Sequence, residues 1–185
     1  MRIGNSINTY TGVKLYPLDP RKNEIRTEDI GHALSLICRA NGHCSHFYSV
    51  AQHSLNCAEE AKRRDYSIRI QLGCLLHDAS EAYLSDITRP VKTELTKYIK
   101  IEKKLQKVIY DAYGLSDLTM SELQLIKEID DAMLSYEMKL LLNIPIESEI
   151  QLVNEYNLSF RPMHEVKEEF INSVKRLQQA MLIIH

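Results

Sequence analysis

Five prolines and six glycines are all that interrupt 185 residues, and between them apolar residues recur at spacings of three and four. Breakers this sparse leave long stretches free to form helices, and the spacing gives each stretch one apolar side to bury. A chain of 185 residues supports one domain with a full core and is short for two. The expected fold is therefore all-α, a single bundle of about six main helices with a short extended N-terminal arm.

The arm spans residues 1–26 and packs on a helical domain of residues 27–185. In it Tyr10-Thr11-Gly12-Val13-Lys14-Leu15-Tyr16 alternates around a glycine before Pro17 and Pro20, which suits an extended strand or a small hairpin. Glu28 and Asp29 follow Thr27 as a first helical turn, and Asn41-Gly42 is the expected stop. Ser49 with Gln52 opens a second helix that carries Val50, His53, Cys57 and Ala61 on one face. A third helix, from Ser67 to about Ala82, is apolar nearly all round and holds His77 and Asp78. Pro90 suits the first turn of a long fourth helix that Gly114 ends. A fifth, capped near Ser121, runs to about Leu142 with Asp131 on it, and Pro145 limits its extension. Pro162 opens a final amphipathic helix.

Charge and cysteine usage narrow the function classes. A net charge of -2 and a pI near 6.4 provide no diffuse positive field, which argues against long nucleic acid as a partner. No stretch approaches the roughly 18 apolar residues of a spanning helix, and the start lacks a signal-type apolar run, so a cytoplasmic protein without membrane contact is expected. Cys38, Cys44, Cys57 and Cys74 lack C-x2-C spacing and read as reduced packing residues. A zinc site from Cys38, His43, Cys44 and His46 would fit no usual ligand spacing.

The chemistry concentrates around His77-Asp78-Ala79-Ser80-Glu81. Glu81 lies four residues after His77 and three after Asp78, so on one helix all three could face one cavity. With His53 and Asp131 they offer two imidazoles and two carboxylates for one divalent ion. Such a mixed N/O set favours Mn, Co, Ni or Fe and tolerates Mg or Zn. Two carboxylates balance the ion's charge, leaving a centre that can polarise a phosphoryl oxygen and acidify water. Singly, each residue has a plainer reading: a buried helical His is usually a satisfied core residue, and an Asp is often a cap or ion-pair partner. Spacing alone does not say whether Asp130 or Asp131 turns inward. The combination points to a metal-dependent hydrolase.

These residues resemble the H…HD…D signature of the HD-domain phosphohydrolases: His53, His77-Asp78 and Asp131. The run from His77 through Asp86-Ile87-Thr88-Arg89-Pro90-Val91-Lys92 is similar to the 5'-deoxynucleotidase branch, and the resemblance covers roughly residues 27–142. Asp131-Ala132-Met133-Leu134 is similar to that branch around its last ligand, which favours Asp131 over Asp130.

The resemblance implies an HD-domain helical bundle that hydrolyses deoxynucleoside 5'-monophosphates. A deoxynucleoside triphosphate triphosphohydrolase or another nucleotide phosphodiesterase is the alternative, and a non-catalytic nucleotide-binding protein is the reading of a different class. Glu81 would handle the water proton, Asp86 would act near the leaving group, and Arg39 would hold phosphate, for which a guanidinium fork is well shaped. Lys92 and His43 are further phosphate-binding candidates, although each reads equally as a solvated surface residue. A homodimer is compatible with the branch. Ala40 stands where the branch has Trp, so base preference does not carry over; Phe47, Tyr48 and Tyr83 are candidate replacement stacking surfaces, if they are not core.

Overall fold

The computed structural model describes residues 1–144 and 150–183. Pro145, the expected limit of the fifth helix, lies outside the described residues.

The bundle consists of α1 (Thr27–Leu36), α2 (Val50–Arg63), α3 (Ile68–Leu76), α6 (Thr96–Ala112), α7 (Met120–Leu141) and α8 (Met163–Ile183), with one-turn helices α4 (Glu81–Leu84) and α5 (Arg89–Lys92) between α3 and α6. This is the all-α architecture expected. The apolar α3 is the hub: Leu72, Leu75 and Leu76 are fully buried, and α2, α7 and α8 pack around it. Gly73 faces Ile126, and a β-carbon there would collide with the Ile126 side chain. The glycine thus lets α7 approach α3 closely, one turn before Asp130.

The arm joins the core. Its β1 (Ile7–Asn8) and β2 (Lys14–Leu15) pair antiparallel, and Leu15 is fully buried. Asp29, buried on α1, accepts from the Thr11 backbone N–H at 2.7 Å and its hydroxyl at 3.0 Å.

Helix starts follow local chemistry. Ser49 accepts from the Gln52 N–H at 3.1 Å, while the Gln52 side chain donates to the Ser159 carbonyl instead of completing a capping box. Thr119 and Glu122 do form that reciprocal box, so α7 begins just before the expected Ser121. Three boundaries differ from expectation. The first helix stops at Leu36 because the next residues leave to pair with the approach to α2: Arg39 N–H donates to the Tyr48 carbonyl at 2.8 Å and Val50 N–H to Ile37 at 3.0 Å. The fourth helix is two, α5 and α6, separated where Leu95 adopts φ -97, ψ 67. The third stops at Leu76, so His77 to Ser80 form a tight turn outside the helix. Gln106 of α6 stabilises this break, donating to the Leu76 carbonyl at 2.7 Å and accepting from Ser80 N–H at 3.1 Å. Among the described residues no helix is long and apolar enough to cross a membrane.

Candidate metal centre

The break after α3 swings His77 and Asp78 toward α2 and α7, where they meet His53 and Asp130. The His53 and His77 Nε2 atoms lie 3.2 Å apart. Asp130 Oδ1 is 3.2 Å from His53 Nε2 and 3.5 Å from His77 Nε2, and Asp78 Oδ2 is 3.2 Å from His77 Nε2 and 3.9 Å from His53 Nε2. Each ring is oriented through its other nitrogen. His53 Nδ1–H donates to Glu137 Oε1 at 2.7 Å, and His77 Nδ1–H donates to the Cys74 carbonyl at 2.7 Å. Both Nε2 lone pairs therefore converge with two carboxylate oxygens, an arrangement that calls for a cation at the centre.

Protons and a metal ion compete for that place. Burial works to lower the His77 pKa, but Asp78 and Asp130 outweigh it and hold it well above the ordinary imidazole value. Burial likewise opposes ionisation of the two carboxylates, yet their imidazole partners keep Asp78 at about 2 and Asp130 well below the usual range. A divalent ion would satisfy the same oxygens and displace the imidazole protons. Cys57, one turn after His53 on α2, also belongs here: its sulfur is 3.5 Å from His53 Nε2, and His53, Cys57 and His77 present ligand atoms within 4.8 Å of one another. This buried cluster could hold a metal ion.

Asp131, the expected fourth ligand, points elsewhere. It pairs with Arg89 at 3.1 Å and with Lys127, and it lines the cavity beside the centre instead of facing the histidines. Asp130 follows the buried Ile126 by four residues, whereas Asp131 follows the exposed Lys127 by four, so helical period turns Asp130 inward.

The centre opens into a cavity of about 760 Å³ lined by Arg39, Glu81, Asp86 and Lys92 along its polar side. Glu81 is 5% exposed, and its buried Oε2 has no hydrogen-bond partner. Burial, then Asp78 and Asp86, push its pKa well above the carboxylate range. Burial also raises Asp86. Arg39 lies between Asp78 Oδ2 at 3.4 Å and Glu137 Oε2 at 3.3 Å, with its guanidinium set at the cavity wall. Lys92 reaches the same wall while paired to Glu102 at 2.6 Å.

His43 is exposed and absent from the cavity lining, because the chain turns at Ala40 and Asn41, both in left-handed conformation, and carries it to the surface. His46 donates to the Leu158 carbonyl at 2.7 Å, a tether between loops. Phe47, Tyr48 and Tyr83 do not line the cavity either. Phe47 packs edge-on against Phe160, and Tyr48 is fully buried with its hydroxyl donating to Glu137 at 2.9 Å. Glu137 escaped sequence analysis altogether. Its signal was the seven-residue spacing from Asp130, two helical turns along one face.

No family model matches the chain. It is 41% identical over 109 residues to a protein of Escherichia coli (strain K12) titled uncharacterized protein YfdR, a match covering 59% of this chain and 58% of that protein. It is 38% identical over 110 residues to a Rhodobacter capsulatus protein titled uncharacterized protein RCAP_rcc00048, covering 57% and 56% respectively. The chain thus spans less than three fifths of the length of the curated relatives it matches.

Proposed function

We propose that this chain is an HD-type metal-dependent phosphohydrolase that cleaves small nucleotides, with deoxynucleoside 5'-monophosphates the favoured substrates and nucleoside and phosphate the products. One observation carries this: His53, His77, Asp78 and Asp130 converge at the wall of a substrate-sized cavity that also holds the unpartnered Glu81 carboxylate and the Arg39 guanidinium.

The four converging side chains would hold one divalent ion. Such an ion supplies Lewis acidity to a phosphoryl oxygen and lowers the pKa of water from about 15.7 toward about 7. Arg39, anchored by Glu137 and Asp78, presents its guanidinium edge to phosphate oxygens. Glu81 accepts a proton from the water that attacks phosphorus in line. The bond from phosphorus to the 5'-oxygen breaks, and that oxygen takes a proton from Asp86, whose raised pKa suits a general acid. Leu134, Met138 and Leu141 on α7, with Ile87 and Pro90, give the cavity apolar lining. A sugar and base can pack between them.

The test is phosphate release from deoxy- and ribonucleoside mono- and triphosphates with Mn, Co, Mg or chelator, the products being resolved by chromatography. Metal-dependent orthophosphate from deoxymonophosphates is expected. Triphosphate release would replace this activity with a triphosphohydrolase, and silence across the panel would overturn nucleotide hydrolysis.

A further inference from the structure

We propose that the Cys57 thiolate is an inner ligand of the metal centre, making it a mixed N/O/S site. This rests on the metal-holding part of the function proposed above and is independent of the substrate.

The sulfur approaches the coordinating nitrogen of His53, Nε2, and not the Nδ1 that Glu137 engages. Metal–nitrogen bonds of about 2.1 Å and metal–sulfur bonds of about 2.3 Å place adjacent N and S donors roughly 3.1 Å apart in octahedral and 3.6 Å apart in tetrahedral geometry. The observed 3.5 Å lies in that interval. The 3.2 Å separations from His53 Nε2 to His77 Nε2 and to Asp130 Oδ1 fit adjacent N and O donors at about 2.1 Å in the same way, roughly 3.0–3.4 Å apart. The sulfur therefore stands where a neighbouring vertex of the coordination shell belongs.

Its position relative to solvent has the same sense. Cys57 is 1% exposed and does not line the cavity, whereas Asp78 and Asp130 do. The thiol closes the centre from the protein side and leaves the cavity side open for water and substrate, as a catalytic metal requires. His53 and Cys57 sit one turn apart on the inner face of α2, so one rigid helix delivers both. When the ion binds, the sulfur–metal bond replaces the S–H bond and the proton leaves to solvent. A thiolate in the shell favours Co, Zn and Fe(II) over Mg and Mn.

The experiment is titration of the metal-free protein with Co(II), followed by absorption spectroscopy without substrate, on wild type, Cys57→Ser and Cys57→Ala. Wild type should develop a near-ultraviolet thiolate-to-cobalt charge-transfer band beside the visible d–d bands. Both variants should lose the charge-transfer band, keep the d–d bands and lose at least about tenfold of the Zn-over-Mn preference. Cobalt bound by wild type without the charge-transfer band overturns the thiol ligand and leaves the hydrolase proposal standing. A band that persists in Cys57→Ala also overturns it, because the sulfur is then another cysteine. Failure of wild type to bind cobalt overturns the metal centre itself. The wild-type spectrum decides the matter even where a variant fails to fold.

Discussion

Glu137 accepts the Nδ1–H of His53 across 2.7 Å, and both side chains are shut away from solvent. The same carboxylate takes the Tyr48 hydroxyl on Oε1 and the Arg39 guanidinium on Oε2. One buried group thereby fixes the tautomer of a candidate metal ligand and the position of the proposed phosphate clamp. Burial opposes its ionisation, but His53 and Arg39 keep Glu137 below the usual carboxylate range, hence charged.

Replacing Glu137 by Gln should accordingly weaken Mn or Co binding by about 10- to 100-fold, the usual effect of losing a carboxylate behind a metal-bound imidazole. Glu137→Ala should also lower stability by about 3–5 kcal/mol, since Arg39 is left as a buried, partly uncompensated charge. Calorimetric metal titration and chemical denaturation measure the two effects. Unchanged metal affinity in the Gln variant would remove Glu137 from the centre.

Asp130 and Asp131 are neighbours with opposite fates, and substitution should separate them. Asp130→Ala removes an oxygen that faces both histidines and should abolish measurable metal binding. Asp131→Ala breaks exposed pairs with Arg89 and Lys127 and should change stability by at most about 1 kcal/mol, leaving metal affinity within about twofold. Equal loss of metal in both would contradict the inward turn of Asp130.

That contrast marks how far the sequence could be read. His53, His77 and Asp78 were legible as candidates because their residue types are rare together in apolar stretches. Spacing left Asp130 and Asp131 open, since apolar residues flank both, and family similarity around the neighbouring Ala132-Met133-Leu134 pointed to Asp131, one residue beyond the side chain that faces the histidines. The bundle was legible from apolar spacing, whereas the break after Leu76 was not. No glycine or proline marks it, and the side chain that satisfies the freed backbone is Gln106, thirty residues away in sequence. Arg39 was found as a phosphate candidate, yet its pairing with the buried Glu137 spans 98 residues, and only the spacing of Glu137 from Asp130 hinted at that carboxylate.

Metal and protons should oppose each other in the pH dependence of stability. Folding raises the His77 pKa well above 6.5, so His77 stabilises the metal-free fold fully below about pH 6.5, and this is lost as pH rises through the folded value. Asp130 acts in the other direction: its depressed pKa contributes above about pH 4 and fades as pH falls through the folded value. The metal-free protein should therefore lose melting temperature from about pH 6.5 upward, while the increment added by saturating Mn or Co grows over the same range. Thermal scans with chelator and with metal give both curves. A metal increment that shrinks as pH rises would be incompatible with ligands that must first release protons.

Glu81 differs from the four converging side chains in having a buried oxygen with no partner, as expected of a group that waits for water. Glu81→Gln keeps its size and removes its basicity, so metal affinity should stay within a fewfold while turnover falls by about 10²- to 10⁴-fold. Glu81 must be ionised to take that proton, so the wild-type rate profile should have an acidic limb. The variant should lack that limb, because no carboxylate remains to ionise there. Metal affinity and turnover that fall in parallel would make Glu81 a ligand instead of a base, whereas loss of the limb at constant affinity isolates its role in moving the water proton.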